Sequence, residues 1–245
     1  MKPSARHTAT ALALVTLLSA WGLPSHAPAP LAAQESRVSY GAGLLSRYVW
    51  RGMEYSTTVQ VQPWIQANLG SLELGTWGSY GIDGEYLEQS QWITWTHALP
   101  RGSLGVTVTD YYFTEDFSDF FDWGGVEDGV ATGAHTLEAI LAYEGPEERR
   151  VRLLLASTFY NDPGPSVYAE AGYALERVGL NWAAQVGYLL HDGGYYELGS
   201  GGLTNLTLSA SRLLGTWLSR EVLAASYLIH SPKLGKTHLA VEITF

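Results

Sequence analysis

Isolated charged residues interrupt several segments of this chain in which apolar side chains otherwise alternate with small or polar ones. Consecutive side chains of a β-strand point to opposite faces of the sheet. The residues that would share the less apolar face, and so line an enclosed interior, are Arg47, Glu73, Trp77, Glu138, Arg152, Glu170, Glu176 and Glu242. Charged side chains on a channel wall select ions by their sign. Acidic residues outnumber basic ones in this set, so the pattern favours the passage of cations over that of anions.

The same charges have a second interpretation, in which opposite charges pair with each other. Arg47 and Arg152 would then bind glutamates across the interior and fill it, rather than face a passing solute. The sequence leaves both interpretations open. Neither of them requires a cofactor, a bound metal or a covalent step.

The longest predicted connection, at residues 114–133, interleaves acidic with aromatic residues. Its carboxylates recur at every third position: Asp116, Asp119 and Asp122. Side chains three apart share one face of a helical turn, so such a turn would separate these carboxylates from the rings between them. Three interpretations of this long loop remain open: a constriction folded into the interior, a surface loop whose rings rest on the rim, and an acidic site that bridges calcium or lipopolysaccharide. The spacing matches no known calcium-binding loop, so no metal site is predicted.

An enzyme is the competing class of function, and it would need a nucleophile beside a base. His191 and the neighbours His230 and Ser231 lie near predicted strand ends, where an outer-membrane lipid hydrolase would carry its catalytic residues. Neither histidine lies in a hydrolase-like motif. The chain also has no glycine-rich phosphate loop, no His-Glu-x-x-His motif and no cysteine. We therefore predict that the protein is not an enzyme.

The elements that would position these residues are strands, because alternation with a period of two recurs along most of the chain. Between residues 180 and 190, for example, Trp182, Val186 and Tyr188 alternate with small or polar residues. The predicted strands lie at 37–49, 58–69, 71–80, 88–99, 103–113, 134–144, 150–160, 166–176, 179–190, 202–212, 217–229 and 236–245. The segments 88–99 and 217–229 alternate least cleanly, so a barrel of ten strands is the alternative to one of twelve.

The predicted connections alternate in length, as they do in a barrel with short periplasmic turns and longer outer loops. An even number of strands also places both chain ends on the periplasmic side. Residues 239–245 alternate and end on Phe245. This ending resembles the closing strand of bacterial outer-membrane barrels, where the terminal phenylalanine belongs to the signal for barrel assembly.

Residues 1–33 have the features of a secretory signal peptide, with the basic residues Lys2 and Arg6, an apolar run, and small residues before a cleavage point near Ala33. Residues 34–245 would then form the mature domain. Downstream of the leader, no apolar segment approaches the about 20 residues of a spanning helix. A chain that crosses a bilayer without such helices must close its strands into a barrel, and aromatic girdles would account for the 9 Trp and 15 Tyr. The formal net charge of −10 argues against a nucleic-acid partner.

The first third of the chain carries motifs that resemble those of a known family. The motifs are Ser46 followed by Tyr48-Val49-Trp50-Arg51-Gly52, then Gln62-Pro63 and Gln66, then Gly75-Thr76-Trp77-Gly78-Ser79. Together they cover about residues 38–80 and resemble the opening strands of the TorF family of porins. The resemblance implies an outer-membrane barrel with a pore. At the rim of such a barrel, Gly52 would permit a turn, and Arg51 would pair with lipopolysaccharide phosphate or with loop carboxylates.

The sequence therefore predicts an all-β protein, an antiparallel up-and-down transmembrane β-barrel of about 12 strands in the outer membrane of a Gram-negative-type bacterium. Its predicted role is passive diffusion of small hydrophilic solutes or ions, with a preference for cations and with no cofactor. The predicted partners are outer-membrane lipid, lipopolysaccharide and, through Phe245, the barrel assembly machinery. The alternatives are a lipid hydrolase and a closed structural or adhesive barrel that acts through its acidic-aromatic outer loop.

Overall fold

The computed structural model describes residues 37–85, 87–113, 117–218 and 220–245. The predicted signal peptide at 1–33 and the candidate residue Asp116 lie outside the described residues. Within the described part of the chain, no helix is both long enough and apolar enough to cross a membrane.

The described chain is almost entirely β-structure. In chain order its elements are β1 (Arg37–Leu45), β2 (Tyr48–Trp50), β3 (Met53–Ser56), β4 (Gln60–Leu69), β5 (Leu72–Gly81), β6 (Leu87–Ala98), β7 (Ser103–Phe113), β8 (Val126–Glu127), β9 (Val130–Ala131), β10 (His135–Glu144), a 3-10 helix (Glu147–Arg149), β11 (Val151–Tyr160), β12 (Val167–Arg177), β13 (Leu180–His191), β14 (Gly202–Trp217), β15 (Arg220–Ser231) and β16 (Lys236–Thr244). The closed barrel has the order β1-β16-β15-β14-β13-β12-β11-β10-β7-β6-β5-β4, with β4 next to β1. Its neighbouring strands are antiparallel. The predicted twelve-stranded antiparallel barrel is confirmed.

The remaining strands form two hairpins outside the barrel sheet, β2-β3 and β8-β9. The first hairpin lies in the connection between β1 and β4, and the second lies in the connection between β7 and β10. Both connections leave the same end of the barrel, because each follows a strand that runs in the same direction. At the opposite end the chain returns in short turns, such as the two residues between β4 and β5 and between β12 and β13. This arrangement agrees with the predicted alternation of short turns and longer loops.

Two predicted strand boundaries differ from the structure by more than three residues. The predicted first strand, 37–49, ends at Leu45, where the chain bends and enters the hairpin β2-β3. Alternation did not reveal this break, because Tyr48, Val49 and Trp50 are good strand formers that continue the apolar run. The predicted turn at 213–216 belongs to β14, which continues to Trp217 through a register shift between Leu213 and Gly215.

The barrel has an apolar outer face and a more polar inner face. Along β16, Leu239, Val241 and Ile243 are 64%, 48% and 41% exposed, whereas the alternating Ala240 and Glu242 are buried. Lipid-facing strands place apolar residues outward and polar residues inward with this period. The distribution is therefore that of a barrel surrounded by lipid.

The last strand closes the barrel against the first. Residues 43–45 of β1 pair with residues 242–244 of β16. Two backbone hydrogen bonds between Ala42 and Phe245, of 2.9 and 3.0 Å, extend this junction. The Phe245 ring also packs edge-on against Trp217, with the ring centres 6.2 Å apart. The predicted terminal strand is thus the closing strand of the barrel.

Candidate functional site in the barrel interior

The hairpin β2-β3 lies inside the barrel. Its residues Tyr48, Trp50 and Met53 are buried, and its tip reaches the wall at β14. A Cβ added to Gly52 at the tip would lie 1.8 Å from the carbonyl oxygen of Thr204. Because the hairpin starts from the neighbouring strands β1 and β4, it extends across the interior to a different part of the wall.

The tip of this hairpin is a two-residue turn. Arg51 and Gly52 have φ angles of 51° and 83°, and Trp50 pairs with Met53 on either side of them. Positive φ at both central residues defines the type I′ turn, which joins the strands of tight hairpins. Glycine adopts this conformation readily, whereas a residue with a side chain adopts it at some cost. The contacts of the Arg51 side chain offset that cost.

Arg51 forms a buried, two-pronged ion pair with Glu138 on β10. Its Nη1 and Nη2 atoms donate to Oε1 and Oε2 of Glu138 at 2.6 and 3.0 Å, and the two side chains are 7% and 1% exposed. The hydroxyl of Tyr111 donates to the same carboxylate at 2.9 Å. The Arg51 guanidinium also donates to the hydroxyl of Tyr196. Such a fork fixes the direction of the arginine as well as its partner.

Aromatic rings flank the guanidinium of Arg51. Its central carbon lies 4.3 Å from the ring centres of both Trp50 and Tyr168, which is within the range of cation–π attraction. Burial alone would lower the pKa of Arg51, but the neighbouring Glu138 carboxylate raises that pKa well above its ordinary value. Arg51 therefore remains a cation inside the barrel.

Aromatic side chains from three sources pack together around the hairpin. From the hairpin, Trp50 stacks on Tyr196 with ring centres 5.9 Å apart and meets Tyr111 edge-on at 5.6 Å. Tyr196 belongs to the connection between β13 and β14, and burial raises the pKa of its phenol in spite of the nearby Arg51. Tyr48 packs on the wall residue Trp77 at 5.7 Å. The outer-loop half of the interior is therefore narrowed by rings.

Both arginines that the sequence placed on the interior wall, Arg47 and Arg152, pair with glutamates. Arg47 lies at the bend between β1 and β2, 34% exposed, and its Nη1 is 2.8 Å from Oε1 of Glu54. The same oxygen lies 3.2 Å from Nδ1 of His238. Arg152 on β11 pairs with Glu144 on β10 at 2.9 Å, close to the turn end of the barrel. Both pairs join near neighbours, so these arginines are paired as the second interpretation expects, but they do not reach across the interior to fill it.

Three further predicted glutamates lie on the inner face and accept hydrogen bonds from neutral donors. The pairs are Glu73 with Nε1 of Trp92 at 2.9 Å, Glu170 with the hydroxyl of Tyr168 at 2.7 Å, and Glu242 with the hydroxyl of Tyr227 at 2.6 Å. A neutral donor stabilises a carboxylate without cancelling its charge. Of the two remaining predicted wall residues, Trp77 joins the aromatic cluster and Glu176 is exposed near the end of β12.

Uncharged polar residues complete the interior. Ser79 on β5 donates to Oε1 of Gln60, and Gln62 donates to Ser79, each at 3.1 Å. These residues were visible in the sequence only as the polar half of an alternating pattern.

The sequence placed Arg51 at the rim of the barrel, whereas the structure places it in the interior. The signal for that placement was an Arg-Gly turn directly after three strand-forming residues, which favours a hairpin over a continued strand.

The predicted outer loop packs against the outside of the barrel. Because Tyr111 faces the interior, Tyr112 next to it faces outward, and His135 lies opposite Tyr112 in the β7-β10 ladder. Both Tyr112 and His135 are nonetheless fully buried. They are covered by Phe120 and by Trp123, whose ring stacks on the His135 ring at 3.9 Å.

Polar contacts hold this loop in place. Nε2 of His135 lies 2.7 Å from the carbonyl oxygen of Phe120, and Nδ1 lies 3.0 Å from the Asp110 carboxylate. The candidate Asp119 accepts a hydrogen bond from the Tyr112 hydroxyl, and Asp122 accepts one from the Gly124 amide at 3.0 Å. In residues 117–134 the structure thus has a surface loop with its rings on the barrel rim. Within the described residues, no three His, Asp or Glu side chains are grouped so that they could hold a metal ion.

The histidines considered for hydrolysis are not brought together with the neighbouring serine. His230 and Ser231 are consecutive on β15, so their side chains point to opposite faces of the sheet. Nδ1 of His230 lies 2.8 Å from Oγ1 of Thr237, and Ser231 is fully buried. His191 is exposed at the end of β13.

Comparison with known proteins adds two distant structural similarities. No protein-family model matches the chain, and no curated protein matches it. A double variant of the protein OccD1 (OprD) is 12% identical in sequence, with a TM-score of 0.40. The alignment spans 85% of this chain and 65% of the OccD1 chain. OccAB3 from Acinetobacter baumannii is 10% identical in sequence, with a TM-score of 0.36. The alignment spans 86% of this chain and 63% of the OccAB3 chain. The chain thus spans less than two thirds of each of these structures.

The fold itself defines the class of protein. A closed, even-numbered antiparallel barrel with an apolar outer face and a polar inner face is a β-barrel of the transmembrane type. Its distinguishing feature is the hairpin that Arg51 and Glu138 fasten inside the barrel.

Proposed function

We propose that this protein is an outer-membrane channel for the passive diffusion of small hydrophilic solutes and ions. The observation that carries the proposal is the contrast between the two faces of the closed barrel. Large apolar residues are exposed on the outside, while glutamates, arginines, glutamines and hydroxyl residues are buried on the inside. A wall of that kind suits a wet interior in a lipid surrounding.

The width of the barrel is compatible with a narrow channel. Barrels of about eight strands are filled by their own side chains, and barrels of about 16 strands leave a wide aqueous channel. A twelve-stranded barrel lies between these limits, and here the hairpin β2-β3 narrows one half of it. We infer that the permeant solutes are small, because a large solute would have to displace the whole hairpin.

Location in the outer membrane is supported by features of the two chain ends and of the first strands. The leader-like segment 1–33, the apolar outer face of the closing strand β16, and the motifs at 38–80 that resemble the TorF family all favour that location. Lipopolysaccharide and the barrel assembly machinery are the partners that the location implies.

A preference for cations follows from the glutamates of the inner face. Glu170 accepts hydrogen bonds from the Tyr168 hydroxyl and from the Asn205 side-chain amide, so its negative charge adds to the potential of the pathway. The paired arginines Arg47 and Arg152 contribute less, because their charges are matched locally. We propose that cations permeate more readily than anions of the same size.

Solute flux into liposomes tests the channel proposal. The mature chain, 34–245, would be refolded in detergent and reconstituted, and uptake of a small sugar and of sodium and chloride ions would be followed. Variants with a lipid-facing exchange, such as Leu153→Val, serve as the matched control, because they leave the interior unchanged. A folded barrel that passes neither sugar nor ions would refute the channel.

A closed structural barrel is the second candidate, and the hairpin is the specific observation that favours it. The ring cluster around Trp50 fills the outer-loop half of the interior. If that cluster never moves, the protein would act through its surface, and the exposed rings of loop 117–134 would be the contact. Flux measurements on the wild-type chain separate the two candidates.

A further inference from the structure

Arg51 occupies a pocket formed by the barrel wall, by Tyr196 of the β13-β14 connection and by its own neighbour Trp50. Glu138 on β10 provides a carboxylate, and the Tyr111 hydroxyl on β7 holds that carboxylate at 2.9 Å. Tyr168 on β12 provides a ring whose centre lies 4.3 Å from the guanidinium carbon. A carboxylate beside an aromatic face is the arrangement that binds a guanidinium or ammonium group. The wall thus forms a cation site that the chain's own arginine fills.

The site and its occupant belong to different sheets. Glu138, Tyr111 and Tyr168 stand on strands of the closed barrel, whereas Arg51 stands at the tip of a two-stranded sheet apart from it. Moving the hairpin β2-β3 would therefore break side-chain contacts without opening the backbone ladder of the barrel. The occupant can leave while the site keeps its shape.

Departure of Arg51 is unfavourable unless another cation enters. The Glu138 carboxylate is only 1% exposed. If it lost its counter-charge, the buried negative charge would strongly destabilise the folded protein. A solute that brings its own guanidinium or ammonium group restores the pairing, whereas a neutral or anionic solute does not. The exchange of one cation for another is therefore the route by which the Arg51 side chain can leave without stranding the charge of Glu138.

We propose that Glu138, Tyr111 and Tyr168 form a binding site for the cationic head group of a small organic solute, and that Arg51 is the resident competitor for that site. A guanidinium suits it best, because the Glu138 carboxylate already holds a planar fork; a primary ammonium is the weaker ligand. On binding, the solute displaces the Arg51 side chain from Glu138 and so loosens the tip of the hairpin. This inference rests on the proposed channel function and names the solute class that the channel admits.

Chemical rescue of the variant Arg51→Ala tests the site. The substitution removes the resident guanidinium and keeps Glu138, so the pocket becomes available to methylguanidinium. N-methylurea, which is similar in size and uncharged, is the matched probe. Binding is followed in detergent micelles by tryptophan fluorescence, because Trp50 borders the site, and this readout needs no conduction.

The expected result is that Arg51→Ala binds methylguanidinium roughly tenfold or more tightly than N-methylurea. The wild-type chain should bind methylguanidinium more weakly than the variant, because Arg51 competes. The double variant Arg51→Ala/Glu138→Gln should lose the preference. Equal binding of the two probes by Arg51→Ala, or a preference that survives in the double variant, would overturn the site.

Folding and conduction are measured separately, so that the two proposals can fail separately. Heat-modifiable mobility on gels establishes that each variant is a folded barrel, and Arg51→Gln replaces Arg51→Ala if the latter does not fold. If the variant binds methylguanidinium but no form of the protein passes solutes, the cation site stands and the channel fails. If the protein passes solutes but shows no preference between the probes, the channel stands and the cation site fails.

Discussion

At the scale of single residues, the pair of Arg51 and Glu138 carries the largest energetic consequence. The pair is bidentate, almost fully buried and supported by a tyrosine hydroxyl. A buried ion pair adds little net stability compared with an apolar replacement, because both charges must lose their water. Removal of one partner is different, since it leaves the other charge buried and uncompensated.

We therefore predict that Glu138→Ala destabilises the folded protein by about 3–5 kcal/mol. The paired replacement Arg51→Met/Glu138→Met should lose much less, because it leaves no isolated charge. Urea unfolding of the wild type and of both variants in detergent measures both losses. A loss of less than about 1 kcal/mol for Glu138→Ala would mean that water reaches the carboxylate, as at an exposed ion pair.

Gly52 gives a second prediction at this scale. A Cβ at this position would meet the Thr204 carbonyl oxygen at 1.8 Å, so Gly52→Ala should prevent the hairpin tip from seating against β14. We expect the barrel to fold and its unit current to rise. Gly70→Ala is the matched control, because Gly70 also has positive φ but its Cβ would meet nothing within 4 Å. Equal currents in the two variants would show that the tip contact does not hold the hairpin.

At the scale of elements, the sequence left the place of the acidic-aromatic loop open and placed the first connection at the rim. The acidic-aromatic loop was a candidate for the constriction, and in residues 117–134 it lies on the outside over Tyr112 and His135. The first connection was expected at the rim, and it forms the hairpin inside the barrel. Alternation reports which residues share a face of a strand, but it does not report where a loop folds.

The outer loop gives a prediction that tests whether this loop lies on the barrel surface or in the lumen. His135→Ala removes the hydrogen bonds to Asp110 and to the Phe120 carbonyl group, together with the stack on Trp123. We expect faster chymotryptic cleavage after Phe120, and a conductance that is unchanged, because the loop lies outside the pathway. His191→Ala, at an exposed strand end, is the control. A change in conductance with His135→Ala alone would place the loop in the pathway.

At the scale of the whole molecule, the barrel was largely predictable and its interior was not. Twelve strands with nearly correct bounds followed from the period-two pattern, because lipid on one side and a polar interior on the other impose that period. The inward direction of Glu138, Glu170 and Glu242 followed from the same pattern. The side chains that these glutamates contact could not be predicted from the pattern. Arg51, Tyr111 and Tyr168 come together only because of the order of the strands in the barrel and the position of the hairpin.

The charge of the interior gives a prediction for the molecule as a whole. The double variant Glu170→Gln/Glu242→Gln removes two carboxylates from the wall and keeps their size. Its reversal potential in a salt gradient should shift toward zero from the cation-selective value of the wild type, because wall charge sets ion preference. Glu127→Gln, on the exposed hairpin β8-β9 of the outer loop, should leave the potential unchanged. If Glu127→Gln shifts the reversal potential as much as the double variant does, the ion selectivity arises at the outer-loop end of the barrel and not at the glutamates of the wall.

The central claim is that this barrel encloses a channel narrowed by the hairpin β2-β3. The most direct measurement is the single-channel current of residues 34–245 in a planar bilayer with a salt gradient, beside a variant in which residues 48–56 are replaced by a short Gly-Ser linker. We predict discrete steps with a cation-selective reversal potential, and larger steps in the variant. A variant that is a folded barrel and remains silent would contradict the account, because no hairpin would be left to explain a closed interior.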